Sequence, residues 1–300
     1  MKTRILIREG QYQLNKAGCP DPKTDAEELY SFLTGRDRVQ IFLRAEEEDD
    51  PETERRYLKL IERRAQRIPL QHIIGEQEFM GYRFAVSADV LIPRQDTEIL
   101  VQEGAKAIQS TQKQKRSFFE RLRGRKDWEV LDLCCGSGVV GISVARICGS
   151  VELTASDISE AAVALTKRNA RDNHVDAEVL QGDLFTPLRG RRFDMILCNP
   201  PYVRTNMIGM LQDEIKDYEP REALDGGRDG LVVYRRIVAG APDYLKENGF
   251  LMMEIGYDQG EALRKMLKDD GRYREIEIVR DLPGKERVIR CRLKRGRQPK

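Results

Sequence analysis

The chain has 300 residues, 40% of them hydrophobic and 34% charged, yet its formal net charge is only +2. That length is a prior for two domains with a real core, and the near balance of charge argues against a protein that grips duplex nucleic acid over its whole surface. No apolar run approaches a membrane span, and Met1 to Ile7 is too short in its apolar part for a signal peptide, so no membrane partner and a cytoplasmic location are expected.

The first stretch reads as short helices. Thr24-Asp25-Ala26-Glu27 has the form of a capping box opening a helix through Leu29, Phe32 and Leu33. Asp50-Pro51 places an N-cap and a proline at the first helical position before Tyr57, Leu58 and Ile61. The acidic run Glu46 to Asp50 between them reads as a solvated loop. Next, Phe79 to Val86 reads as a hairpin with Gly81 near its turn, leading through Leu91-Ile92-Pro93-Arg94-Gln95-Asp96-Thr97-Glu98 into a further helix. The polar stretch from about Gln109 to Lys126 reads as a linker or a long helix end. Two basic runs, Lys113 to Lys126 and Arg292 to Arg297, read as solvated linker or tail, with contact to RNA on a larger partner as the other reading.

From Trp128 the pattern becomes alternating strands and helices. Strands are expected at Val130–Leu133, Val151–Asp157, Ala177–Leu180, Phe193–Cys198, Phe250–Ile255, Ile276–Val279 and Val288–Cys291, with Ser159 capping a helix that runs to about His174. Repeated βα units imply an α/β fold, a doubly wound sheet that binds ligands at the carboxyl ends of its strands. Asp132-Leu133-Cys134-Cys135-Gly136-Ser137-Gly138 is a glycine turn between strand and helix, suited to a nucleotide-like ligand but without the full G-x-G-x-x-G spacing a pyrophosphate wants. Asp157 falls where a carboxylate binds both ribose hydroxyls, and Asp183 could accept from an adenine amino group or serve as a turn cap. A ribose carboxylate and an adenine acceptor without a pyrophosphate loop favour S-adenosylmethionine over NAD. The six cysteines form no C-x-x-C pair and only two histidines exist, so no metal is expected and the cysteines read mostly as small core residues.

Asn199-Pro200-Pro201-Tyr202 follows a strand and reads as a site for a planar nitrogen. An amide or aromatic amine nitrogen is a poor nucleophile because its lone pair is delocalised. The Asn199 carboxamide oxygen and the Pro200 carbonyl can each accept one N–H bond, holding the NH2 group and favouring the charge that builds as it attacks. The prolines stiffen the loop, and Tyr202 could stack on the planar group. A plain turn with a packed aromatic is the other reading of the same four residues.

At this point the chain resembles the class I S-adenosylmethionine-dependent methyltransferases, and within them the HemK/PrmC family of protein-(glutamine-N5) methyltransferases that modify peptide chain release factors. The resemblance covers almost the whole chain. It rests on Asn199 to Tyr202, on Leu91 to Glu98, on Tyr218-Glu219-Pro220-Arg221-Glu222-Ala223-Leu224-Asp225-Gly226-Gly227, on Gly230-Leu231, on Glu254-Ile255-Gly256 with Gln259-Gly260, and on Asp281-Leu282 with Gly284 and Arg287-Val288. Cys134 stands where the family usually has Gly, and Gln95 where it usually has Pro.

The resemblance implies a Rossmann-like seven-stranded sheet with a small N-terminal helical domain and a β-hairpin linker. The domain boundaries expected are 1–74 for a helical substrate-recognition domain, 75–126 for the linker and 127–300 for the methyltransferase domain. It implies S-adenosyl-L-methionine held by the glycine turn from Asp132 to Gly138 with Asp157, Asp183, Leu184 and Asn199. It also implies a glutamine side chain held by Asn199, Pro200, Pro201 and Tyr202, with Asn199, Pro200 and Tyr202 catalytic. Peptide chain release factors are the expected partners, no direct nucleic-acid substrate is expected, and a monomer is the expected state. The alternatives are glutamine-N5 methylation of a ribosomal protein, adenine-N6 methylation of nucleic acid, and a translation-factor-binding module whose cofactor pocket has decayed.

Overall fold

The computed structural model describes residues 1–115 and 128–295, with the side chains of 112–115 left aside. Most of the first basic run and the end of the second therefore lie outside the described residues. The chain divides into two compact units, one of Met1–Glu76 with Leu211–Glu219, the other of Gln77–Met210 with Pro220–Lys300.

The first unit is helical: α1 (Thr3–Lys16), α2 (Pro22–Thr34), α3 (Arg38–Leu43), α4 (Pro51–Ala65) and α5 (Leu70–Ile74). Sequence reasoning left α1 unassigned, although Leu6, Ile7, Gly10 and Leu14 share its buried face at helical spacing. Asp50 caps α4 as expected, accepting from the backbone N–H groups of Glu52 and Thr53, with Pro51 at the first position; such a cap is worth about 1 kcal/mol. The capping box at Thr24 is a correction. Helix α2 opens at Pro22 behind Asp21, because proline pre-sets the helical φ two residues earlier. Nor is the acidic run wholly solvated, since Asp49 accepts from the Tyr30 hydroxyl at 2.5 Å and from the Thr3 hydroxyl at 2.9 Å.

The segment Leu211–Glu219, from much later in the chain, also packs with this first unit. Glu214 explains why. Arg64 is buried and donates to Asp25 at 2.8 Å and to Glu214 at 2.9 Å, while Arg67 forks onto both oxygens of Glu214. Tyr218 adds a bond from its hydroxyl to the Gln66 carbonyl at 2.6 Å.

The second unit begins with a hairpin, β1 (Glu76–Phe79) and β2 (Tyr82–Ala85), in which Met80 and Gly81 both have positive φ, as a tight two-residue turn requires. A 3₁₀ turn at Gln95–Thr97 leads into α6 (Glu98–Lys115). Then follow β3 (Trp128–Leu133), α7 (Val139–Cys148), β4 (Val151–Asp157), α8 (Glu160–Asp172), β5 (Ala177–Gln181) and β6 (Phe193–Cys198). After the excursion through α9 (Asp213–Lys216) come α10 (Arg221–Leu224), α11 (Val232–Tyr244), β7 (Leu245–Glu254), α12 (Gly260–Asp270), β8 (Tyr273–Arg280) and β9 (Glu286–Leu293).

The seven strands order as β5-β4-β3-β6-β7-β9-β8, parallel from β5 to β7 and antiparallel at β9 and β8. The seven-stranded α/β expectation holds. Strand β9 takes in Arg292, whose guanidinium lies 4.1 Å from the centre of the Phe250 ring, so that residue is sheet and not solvated tail. Among the described residues no helix is long and apolar enough to cross a membrane.

Burial works against the charge of Glu214, but the hydrogen bonds from Arg67 and Arg64 outweigh it and hold its pKa down at about 2, against 4.5 for the free carboxyl. The folded state binds that proton less tightly than the unfolded chain does. The stabilisation is therefore complete above pH 4.5 and is lost as the pH falls toward 2. Glu214→Ala, which strips a partner from buried Arg64, is expected to lower the unfolding free energy at pH 7 by about 3 kcal/mol in a urea titration, with the gap from wild type closing in acid. An unchanged urea midpoint at pH 7 would show that the cluster is not stabilising.

Candidate active site

Strand register places the site. Leu133 of β3 pairs with Ser156 of β4 and with Cys198 of β6, so the next residues, Cys134, Asp157 and Asn199, leave the sheet at one level. Asp157 in turn pairs with Gln181 of β5, which brings Gly182 and Asp183 to the same edge. Above that edge is a cavity of about 550 Å³, a size suited to a small ligand.

Of the residues expected from sequence, Cys134, Cys135, Gly136 and Ser137 line the cavity, as do Asp157, Asp183, Leu184, Asn199 and Pro201. Four others do not line it. Asp132 is buried and accepts from the Gly141 N–H at 2.8 Å, at the start of α7; burial pushes its pKa up to about 8 against that hydrogen bond. Gly138 is the left-handed residue before α7, with φ of 79°. Pro200 is buried. Tyr202 packs on the core and turns its hydroxyl to the Glu254 carboxyl at 3.3 Å.

The glycine turn is tied to Asp157. Its Oδ2 accepts from the Gly136 N–H at 2.9 Å and its Oδ1 from the Ser159 N–H at 3.0 Å. Burial raises the pKa of Asp157 while these backbone donors oppose the rise. Each oxygen retains a second lone pair for a hydroxyl donor. Cys134 itself has φ of 57°, in the left-handed region, which explains why glycine is the expected residue there: a side chain in that conformation costs about 1 kcal/mol. Asp183 is engaged by Arg236, N to O 2.6 Å, and both line the cavity.

The Asn199 loop is braced by segments far away in sequence. The Gly226 N–H donates to the Val203 carbonyl at 2.8 Å, and the Gln259 amide donates to the Tyr202 carbonyl at 3.0 Å and the Gly230 carbonyl at 3.2 Å. A side chain at Gly226 would meet the Tyr202 Cα at 2.7 Å, so glycine is what lets the two backbones touch. Arg94 has an extended backbone, φ −103° and ψ 144°, the shape a following proline would impose, so Gln95 keeps the turn without the lock.

Sequence reasoning missed three polar residues that hold this site. Thr166 donates to the Gly136 carbonyl at 2.9 Å. Asn169 exchanges bonds with the Ala85 backbone and donates to the Ser137 carbonyl at 2.8 Å, tying the hairpin and the glycine turn to α8. Thr97 is within 3.3 Å of the Asn199 amide nitrogen. The signal for the first two was present: a Thr and an Asn three residues apart on the apolar face of α8, with Val163 and Ala170.

Residues 6–75 match the family described as PrmC N-terminal domain, and residues 97–215 match Methyltransferase small domain. A relative in Clostridium botulinum named release factor glutamine methyltransferase is 35% identical over 97% of this chain and 99% of its own length. The chain belongs to the release factor glutamine methyltransferase family. A second member, from Moorella thermoacetica, is 37% identical over 96% of this chain and 98% of its own length. The solved hMettl16 catalytic domain shares the fold at 13% identity, with a TM-score of 0.55 over 78% of this chain and 81% of that one. The glycine turn of this family member is sterically committed: a Cβ on Gly138 would lie 2.8 Å from both Ile142 Cδ1 and Thr166 Cγ2, at a φ that disfavours side chains. Gly138→Ala is expected to lower stability by about 2 kcal/mol, read from a denaturant midpoint. A midpoint equal to wild type would mean the turn has more room than its geometry shows.

Proposed function

We propose that this chain transfers a methyl group from S-adenosyl-L-methionine to the side-chain N5 of the glutamine in the Gly-Gly-Gln motif of peptide chain release factors. The single observation that carries the reading is the strand register, which sets Asn199 beside Asp157 and the glycine turn at one edge of the sheet.

The cavity residues fit the cofactor. Asp157 offers carboxylate oxygens to ribose hydroxyls, Gly136 and Ser137 bring backbone close, and Asp183 with Leu184 lies where an adenine edge would be met. When bound, the sulfonium supplies an electrophilic methyl group. The protein's part is positioning and electrostatic support. Asn199 Oδ1, on the cavity wall, accepts one N–H bond of the glutamine amide and stabilises the charge that grows on nitrogen; the second N–H is assigned to the Pro200 carbonyl, although Pro200 is buried and does not line the cavity. Pro201 lines the cavity beside them, and Tyr202 supports the loop from behind. No general base is assigned: the nitrogen becomes more acidic as it attacks, and the proton it loses passes to water.

Residues 1–74 are assigned the docking of the release factor, residues 75–126 the linking role and residues 127–300 the transfer. The docking role extends to Leu211–Glu219, which pack with the helical unit. A cytoplasmic, monomeric enzyme without a direct nucleic-acid substrate completes the reading.

Asn199→Ala is expected to cut methyl transfer by about a hundredfold or more while cofactor binding, measured by calorimetry, stays near wild type. Asp157→Ala is expected to do the reverse first, weakening the cofactor dissociation constant by about tenfold or more through lost charge-assisted hydrogen bonds. Full transfer by the Asn199 variant, or an unchanged dissociation constant for the Asp157 variant, removes the corresponding assignment.

A further inference from the structure

An asparagine amide has two ends of nearly equal shape and opposite polarity, and only its oxygen can accept an N–H from a substrate amide. Something in the protein must decide which end faces the cavity. We propose that Thr97, held by Glu254, is the positioning residue that turns the Asn199 carboxamide oxygen toward the substrate. The proposal rests on the substrate-binding role given to Asn199 above.

Hydrogen-bond polarity decides which end of the amide faces the cavity. Thr97 is 3% exposed, lines the cavity, and has its Oγ1 3.3 Å from Asn199 Nδ2. A threonine hydroxyl has a single hydrogen. Glu254 is also 3% exposed; the Tyr202 hydroxyl donates to its Oε1 at 3.3 Å, and hydrogen bonds from Thr97 and Tyr202 oppose the upward push of burial on its pKa. With its hydrogen directed to Glu254, Thr97 presents only lone pairs to Asn199. The amide must then meet it with NH2, and Oδ1 is left for the cavity.

The chain survives protonation of Glu254, which matters because burial pushes its pKa up to about 7. Oε2 has no hydrogen-bond partner among the described residues, so a proton carried there leaves Oε1 an acceptor. The surroundings hold both ends of the relay still. Asp96, next to Thr97, pairs with Arg287 of β9 at 2.8 Å, and Arg287 also pairs with Asp281 at 2.8 Å. On the other side the Glu254 carbonyl accepts from the buried Tyr234 hydroxyl at 2.7 Å. The segments around Thr97, Glu254 and Arg287 are far apart in the chain.

The test compares Thr97→Val, Thr97→Ser and Glu254→Gln with wild type in full-length protein, using S-adenosylmethionine and a purified release factor. Thr97→Val keeps the shape and removes the acceptor; it is expected to lower kcat by about tenfold or more, with the cofactor dissociation constant within about twofold of wild type. Thr97→Ser restores the hydroxyl and is expected to recover kcat to within about threefold of wild type. Glu254→Gln can offer Thr97 a donor in place of an acceptor, and is expected to lower kcat with cofactor affinity retained. Wild-type kcat in Thr97→Val overturns the proposal. So does a loss of cofactor affinity or melting temperature in Thr97→Val that Thr97→Ser fails to restore, since that marks a purely structural role. Asn199→Ala is measured alongside. If it retains transfer, the role of Asn199 fails and the proposal with it; if it is inactive while Thr97→Val is not impaired, the proposal alone fails.

Discussion

The register of three adjacent parallel strands is the constraint on which the rest of this structure depends. Leu133 faces Ser156 on one side and Cys198 on the other. A strand rises about 3.3 Å per residue, so a slip of one residue would move Asn199 by that amount from the cofactor side and turn its side chain to the other face. The buried faces of β3 and β6 resist such a slip, because Val130, Leu131, Met195, Ile196 and Leu197 are fully buried in these strands. Hydrophobic patterning fixes where two chemically unlike groups meet: a carboxylate with two backbone donors already on it, and a carboxamide held through its nitrogen on Thr97.

Around that edge the protein spends polarity on holding backbone in place. Asp157 engages the glycine turn, Asn169 ties the turn to the hairpin, and Gln259 holds the Tyr202 carbonyl. These groups are largely buried, and each is hydrogen-bonded, as buried polar groups must be to avoid a cost of about 1–3 kcal/mol apiece. The rigid loop that results suits chemistry in which the protein contributes geometry more than proton transfer. The fragments at Gly226, Gly230, Glu254 and Gln259 then have a common physical reason: each touches the Asn199–Tyr202 loop or its immediate support.

Much of this was legible in the amino-acid sequence. The strands Val151–Asp157 and Phe193–Cys198 were read to the residue, since short apolar runs bounded by Gly, Asp and Pro leave little choice. Helix α1 was missed because its caps carry no side-chain signal: Lys2 makes no capping bond and no acidic residue lies in the first turn. The Thr24 capping box fitted the local pattern but lost to Pro22, which fixes φ earlier. The Arg64–Glu214 pair could not be read at all, for it joins residues 150 apart whose types are common on any surface. Thr97 belongs with it: its spacing from Asn199 in sequence is silent, and only the turn at Gln95–Thr97 brings the two together.

The most direct test of the central claim follows the methyl group itself. Purified protein is given labelled S-adenosylmethionine with a release factor, and separately with the same factor carrying Ala for the glutamine of Gly-Gly-Gln, and the label is mapped by peptide mass. The account predicts one methyl on that glutamine and none on the substituted factor. Label that persists on the substituted factor, or no label on either while the cofactor still binds, would contradict it.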